Sequence, residues 1–306
     1  MAKELVLILL GPTCVGKTSA SLLLARALAT EIISADSMQI YRHMDIGTAK
    51  PTAQERAQVR HHMIDIVAPS ESFSTGKYIE GIVPIIDDLH RKRMIPLIVG
   101  GTGLYIKAMT RGIFRGPAAD WALRENLLAM ENESGGSLYA NLQKLDLAAS
   151  SRIMPSDIRR IIRALEVCMK THTGISELQK ERTAPLPYEF IKIGLTRERG
   201  ELYRLIEKRI DAMLSQGLMD EVKSLLLMNP GKTALQAIGY KEIAAHLRGE
   251  YPLDEAARLI KKRTKNYAKR QFTWFKAEAD IRWLDITGFS TPEEVQRAIA
   301  ILLKMH

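Results

Sequence analysis

Residues 5–18 read LVLILLGPTCVGKT, six apolar residues running straight into the pattern G-x-x-x-x-G-K-T. A short apolar run with charge before it and glycine after it reads as a buried parallel strand. Residues 18–29 then carry apolar side chains at helical spacing. Strand, glycine-rich turn and helix in that order are the context in which this pattern is a phosphate-binding loop. Glycine lets the main chain wrap closely around phosphate with its N–H groups turned inward. The helix N-terminus adds a favourable dipole. Gly11, Pro12, Thr13, Cys14, Val15, Gly16, Lys17 and Thr18 are therefore the expected phosphate-binding residues. Lys17 would act as a point charge, and the Thr18 hydroxyl as a ligand to Mg²⁺.

Working outward, residues 31–34 and 95–99 read as further short strands and residues 78–93 as a helix. Strands alternating with helices imply an α/β fold, a P-loop parallel sheet covered by helices. The composition turns helical after about residue 112. Within that stretch Ile158, Ile161, Ile162 and Leu165 share one face of a helix, and Arg159, Arg160 and Arg163 fall largely on the opposite face. Residues 189–195 read as a returning strand, followed by helices at 201–215 and 253–276. The expected organisation is a P-loop core with C-terminal helices (residues 1–112 and 189–306) and a helical insertion (113–188).

The chain has 306 residues, 46% hydrophobic and 26% charged, which is globular composition. The net charge is +9, of which residues 1–110 contribute +2, so most of the excess lies beyond the loop region. A polyanionic partner is compatible with that balance but not required by it. Cys14 and Cys168 stand far apart, which argues against a disulfide framework and for a reducing compartment. The six apolar residues at the start are too few for a membrane span, which needs about 20. The expectation is a cytoplasmic monomer that does not engage a membrane.

The loop alone leaves the reaction open. A P-loop kinase or ATPase usually adds an aspartate on a second strand to hold Mg²⁺. Here the strand at 95–99 runs into GGTG, residues 100–103. Asp36 instead follows the strand at 31–34. It would share the sheet's carboxyl edge with the loop, where ligands bind in open α/β sheets. There it could be a metal ligand, a general base or an ordinary turn residue. Thr102 on the same edge is a candidate to hydrogen-bond substrate. His61 and His62 read as structural, since adjacent side chains diverge and no partner cysteine stands near. Residues 258–276 hold eight basic side chains and no acid, interleaved with Tyr267, Phe272, Trp274 and Phe275. That pattern suits RNA contact and stacking, or equally a solvated face backed by core aromatics.

Seven further blocks follow the loop in order. They are EIISADSMQIYR (31–42), DIGTAKP (45–51), HHMIDI (61–66), IVGGTGLY (98–105), RIIRALE (160–166), AIGYKE (237–242) and YAKRQFTWF (267–275). Together they resemble the bacterial tRNA dimethylallyltransferases, also called tRNA isopentenyltransferases, over essentially the whole chain. The resemblance implies a kinase-like P-loop fold whose loop takes dimethylallyl diphosphate with Mg²⁺. It implies transfer of the dimethylallyl group to the exocyclic amine of the adenosine immediately 3′ of the anticodon. Asp36 is then the base, with Lys17 and Thr102 beside it as catalytic residues. Residues 11–18 and Arg209 bind diphosphate. Asp36, Ser37, Met38, Gln39 and Thr102 meet the flipped adenine. Arg124, Arg159, Arg160, Arg163, Lys269, Arg270 and Gln271 grip the anticodon stem-loop. Two departures stand out: Cys14 where alanine is usual, and Leu205 where arginine is common, which leaves Arg209 to face the diphosphate. Two other readings compete, a P-loop kinase of a small metabolite or nucleotide and a nucleic-acid-binding ATPase with no transfer chemistry.

Overall fold

The apolar run at residues 5–10 is the strand β1 (Leu5–Leu10), and Val6–Leu10 are almost completely buried. The computed structural model describes residues 3–114, 116–181 and 183–304. β1 joins β2 (Ile32–Ala35), β3 (His61–His62), β4 (Leu97–Gly100), β5 (Glu189–Thr196) and β6 (Ile281–Asp285) in one sheet of order β3-β2-β4-β1-β5-β6. Every pairing is parallel. β1 is paired on both edges, by β4 and β5, and its consecutive residues Val6–Leu10 are all buried. Both of its faces are therefore covered, and that is why it contains no polar residue. The α/β expectation holds.

Register decides what reaches the functional edge. Leu10 and Ala35 both pair with Gly100, so β1, β2 and β4 end level with one another. The residues that follow each strand, Gly11, Asp36 and Gly101, therefore emerge side by side. The helix after the loop spans Lys17–Ala27, and the one expected at 78–93 spans Thr75–Arg91. The latter starts early because Ser74 caps it, its hydroxyl accepting from Lys77 N. The helix at Leu253–Lys276 has the expected bounds. β6 was not anticipated. It is a half-exposed edge strand whose short IRWLD pattern carries little apolar signal.

By internal contacts the chain forms two compact units, Met1–Lys107 with Pro187–His306, and Ala108–Leu186. The second is helical and has its own core, in which Leu138, Leu142, Ile161 and Leu165 are fully buried. Ile161, Ile162 and Leu165 face that core as expected. Arg159 and Arg160 are exposed, but Arg163 is not solvated with them. It turns back to the carboxylate of Glu166, which also accepts from Arg124 Nη2 at 2.7 Å, Arg124 Nε at 2.9 Å and Asp120 N at 2.7 Å. Glu166 is completely buried.

Burial would raise the Glu166 carboxyl, but the two guanidinium groups and the Asp120 amide outweigh it and bring its pKa down to about 2. A depressed folded-state pKa contributes stability above the ordinary carboxylate range, and that contribution is lost as pH falls towards 2. Replacing Glu166 by Ala leaves two arginines without their anion. The expected cost is about 3–5 kcal/mol, read by urea or thermal unfolding at neutral pH. A loss below about 1 kcal/mol would mean that solvent already holds those charges.

Candidate functional site

The loop departs from ordinary backbone where its sequence allows it. Gly11 has φ +151°, and a Cβ there would lie 2.7 Å from the Leu195 carbonyl of β5. Cys14 sits at φ +64°, is buried and is among the residues that line the site. Arg197, just after β5, braces the loop by donating from Nε to Val15 O at 3.1 Å. The Lys17 ammonium donates to Gly11 O at 2.9 Å and Pro12 O at 2.8 Å, so it folds back across the mouth of the cradle. Burial and then the neighbouring Arg209 lower the Lys17 pKa to about 8, against the opposing pull of Asp36.

A small cavity of 90 Å³ opens on the loop, lined by Lys17, Thr18, Asp36, Gln39 and Arg209 among others. A larger one of 330 Å³ shares Asp36 and Arg209 with it. The larger cavity is lined by Ser37 and Met38 next to Asp36, by the main-chain stretch Gly47–Ala49, and by Met213, Leu218, Ile238 and Ile260. Tyr267 and Arg270 complete it. The Tyr267 phenol is held above its ordinary pKa, first by burial and then by the charge of Asp36, so it remains a hydrogen-bond donor at all ordinary pH.

Asp36 is both a turn residue and a cavity residue. Its Oδ1 accepts from Met38 N at 2.8 Å and Gln39 N at 3.3 Å, which closes the turn after β2. Thr102 lines neither cavity. Its hydroxyl accepts from Ser37 N at 3.0 Å, and its amide donates to Ala35 O at 3.1 Å. It therefore holds the Asp36 turn from the neighbouring strand end.

Gln271 differs more from expectation. It is buried, with Oε1 accepting from Thr13 N at 2.8 Å and Nε2 donating to Gly101 O at 2.9 Å. It clips the loop to the end of β4, and in this arrangement it has no surface for RNA. Thr13 correspondingly has its amide occupied, so phosphate has to be met further along the loop.

The basic helix is largely neutralised in its first half. Lys261 pairs with Asp211 at 2.6 Å, Lys265 with Glu207 and Arg263 with Glu242. Lys269 and Arg270 are exposed, and the Arg270 guanidinium lies 5.8 Å from the centre of the Tyr267 ring. His61 and His62 form β3, where His62 Nε2 meets Glu31 Oε2 at 2.5 Å and His61 Nδ1 meets Val59 O at 2.7 Å. Among the described residues no group of three or more His, Cys, Asp or Glu could hold a metal, and no helix is long and apolar enough to cross a membrane.

The arrangement puts a phosphate cradle with two cations at one end and an apolar-walled chamber at the other, with one carboxylate at their junction. The loop alone announced the cradle. The Gly47–Ala49 wall was missed as such, although DIGTAKP marks a turn by its glycine. Glu221, which accepts from the amides of Asp45, Ile46 and Gly47 at the start of that wall from 174–176 positions away in sequence, has no local signal.

A family model described as IPP transferase matches residues 39–278. The tRNA dimethylallyltransferase of Thermodesulfovibrio yellowstonii is 57% identical over 293 residues, which is 94% of this chain and 93% of that one. The tRNA dimethylallyltransferase of Thermotoga maritima is 46% identical over 295 residues, 96% of each chain. Among solved structures, the tRNA isopentenylpyrophosphate transferase of Bacillus halodurans aligns over 99% of this chain and 100% of its own, with TM-score 0.71 and 40% identity. A eukaryotic dimethylallyltransferase acting on tRNA aligns over 99% of this chain and 79% of its own, with TM-score 0.82 and 30% identity.

Proposed function

The chain belongs to the IPP transferase family, and from that premise we propose that it transfers a dimethylallyl group from dimethylallyl diphosphate to the exocyclic amine of the adenosine immediately 3′ of the anticodon in tRNA. The observation that carries this reading is Asp36, the carboxylate that lines both the phosphate cavity and the larger chamber. A donor spanning the two puts its diphosphate on the loop and its reactive carbon next to Asp36. The acceptor amine is a weak nucleophile, because its lone pair is delocalised into the adenine ring. As nitrogen bonds to the donor's C1, the C1–O bond to diphosphate breaks, and Asp36 takes the proton that nitrogen sheds. Lys17, Arg209 and the amides of residues 14–18 meet the charge that develops on the leaving diphosphate. To reach Asp36 the adenine has to leave its stack, and Ser37, Met38 and Tyr267 would receive it. Thr102 acts through Ser37, holding the Asp36 turn.

The donor set suits Mg²⁺. Thr18 lines the small cavity, and its hydroxyl would be the protein oxygen on Mg²⁺, which usually takes only one or two protein ligands with phosphate oxygens and water supplying the rest. Bound there it would neutralise charge on the diphosphate. The deciding experiment mixes purified protein, Mg²⁺, tRNA and labelled dimethylallyl diphosphate in the cytoplasm-like conditions where tRNA is modified. Label should enter tRNA, and tRNA-dependent release of phosphate from ATP should be absent. Phosphate release without transfer would return the kinase or ATPase reading.

The Lys17 pKa gives a pH signature. The ammonium is charged below about 8 and neutral above it, so donor affinity should fall as pH rises through 8. Binding the anionic donor raises that pKa in turn, as linkage requires. Equilibrium titrations with dimethylallyl diphosphate at pH 7 and pH 9 check this. Lys17→Arg should flatten the dependence, because guanidinium stays charged throughout.

For RNA we infer that Lys269 and Arg270 contact phosphate next to the chamber, with Arg159 and Arg160 a second basic patch on the helical unit. Arg124 and Arg163 contribute less directly, since Glu166 already holds them. Neutralising each phosphate should contribute roughly −0.7 to −0.9 to the slope of log affinity against log salt. Lys269→Ala with Arg270→Ala should weaken tRNA binding and flatten that slope. Lys269 lines neither cavity, so Lys269→Ala alone should leave donor affinity nearly unchanged. Binding titrations at three salt concentrations measure it, and an unmoved slope removes both residues from the RNA contact.

A further inference from the structure

Glu221 lies on the helix Leu218–Leu227 and lines neither cavity, yet it holds one wall of the larger one. Its Oε2 accepts from Asp45 N at 2.8 Å and Ile46 N at 2.7 Å. Its Oε1 accepts from Gly47 N at 3.0 Å and from the Tyr240 hydroxyl at 2.6 Å. One carboxylate thus takes three successive backbone amides and a phenol. The rest of the turn is closed from the other side. Gln39 Nε2 donates to Thr48 O at 3.3 Å and Ala49 O at 3.2 Å, and Ala49 N and Lys50 N donate back to Ile46 O and Asp45 O.

The turn is also pressed flat. A Cβ at Gly47 would lie 2.4 Å from the Tyr240 ring, so the ring sits directly on the main chain there. Tyr240 is itself fully buried. Gly47, Thr48 and Ala49 line the chamber, and of their backbone groups Gly47 N, Ala49 N, Thr48 O and Ala49 O are bonded within the protein. A buried amide without an acceptor either costs free energy or recruits a water. Glu221 removes that need at Gly47, the first residue of the wall, and fixes the two residues before it, Asp45 and Ile46, through their amides.

We propose that Glu221 is a positioning residue that keeps this wall dry, so that the activated donor reacts with the acceptor amine in preference to water. The inference rests on the transfer reaction proposed above. The competing step needs no reagent but water. The C1–O bond to diphosphate breaks, water oxygen bonds to C1, and its proton goes to solvent, giving dimethylallyl alcohol and diphosphate. An electron-poor allylic carbon is open to that capture whenever water reaches it. Tyr240 supports the same wall through its hydroxyl.

The test reads how the donor is partitioned. Full-length wild type, Glu221→Gln and Tyr240→Phe are each incubated with labelled dimethylallyl diphosphate, Mg²⁺ and an anticodon stem-loop RNA. Label in alcohol and label in RNA are measured in the same reaction. Gln keeps the size of Glu221 but offers one acceptor oxygen in place of two. The alcohol-to-RNA ratio should rise about fivefold, the equivalent of roughly one lost hydrogen bond. Tyr240→Phe keeps the ring on Gly47 and should raise the ratio less. The ratio does not depend on how much protein is folded, so a merely structural role would lower both products together and leave it unmoved. A ratio equal to wild type in every variant that folds overturns the proposal. If Glu221→Gln does not fold, Tyr240→Phe decides. Wild type that puts no label in RNA sinks the transfer reading itself, a result distinct from unchanged partition in variants of an active enzyme.

Discussion

Replacing Lys17 by Ala is expected to lower kcat/KM for dimethylallyl diphosphate by ~10²–10³, the range for loss of one preorganised electrostatic donor. Thr18→Ala should fall in the same range, with part of its loss recovered at high Mg²⁺. The ammonium of Lys17 now lies between Gly11 O and Pro12 O, so it is already in the cradle before any anion arrives. Its removal has two effects, the missing charge and a loosened loop, and Arg209 remains as the other cation beside the site. Lys17→Met keeps the length of the side chain but loses both the charge and the two N–H bonds to the loop, so it should match Lys17→Ala. Lys17→Arg keeps charge and donors and should retain more activity. The Ala and Met variants should unfold near the wild-type temperature, because burying an ammonium contributes little to folding. The measurement is steady-state transfer of label into tRNA at saturating RNA. Turnover within threefold of wild type for Lys17→Ala would remove the loop from diphosphate binding.

The parts of this molecule that were legible in its sequence are those built from local pattern. β1 is a run of six apolar residues because it is central, and the loop announces itself because its glycines and lysine are adjacent in the chain. The helix at Leu253–Lys276 was legible from composition, but the meaning of its charges was not. Lys261, Arg263 and Lys265 look like an RNA-binding row until their acidic partners arrive from Glu207, Asp211 and Glu242 on other helices. Gln271 sits amid basic residues and reads as one more surface polar group. Only the fold brings Thr13 and Gly101 to its two ends. The Arg163–Glu166 pair was visible as an i, i+3 spacing, and weighing that against the basic face would have pulled Arg163 inward. β6 escaped because an edge strand buries half of itself and needs no continuous apolar run.

Asp36→Asn is expected to lower single-turnover transfer by ~10²–10⁴, the span for loss of a general base, while tRNA affinity changes less than threefold. The structure makes this substitution unusually clean. Asp36 Oδ1 closes the turn by accepting from Met38 N and Gln39 N, and an asparagine can present its carbonyl oxygen to the same two amides. Thr102 and Ala35 hold the turn from the other side, so Ser37 and Met38 stay at the chamber wall. What the amide cannot do is take a proton from the acceptor amine. Asp36→Ala removes the turn acceptor as well, so it should lose transfer to the same extent and weaken tRNA binding in addition. Comparing the two variants separates the base from the turn residue. Fluorescence or filter-binding titration gives the affinity, and rapid-quench single turnover gives the chemistry, with KM effects excluded by saturating donor. If Asn leaves the single-turnover rate within threefold of wild type while binding collapses, Asp36 is a recognition residue. The proton would then leave with the diphosphate or through solvent, and Lys17 and Arg209 alone would carry the electrostatic work at this junction.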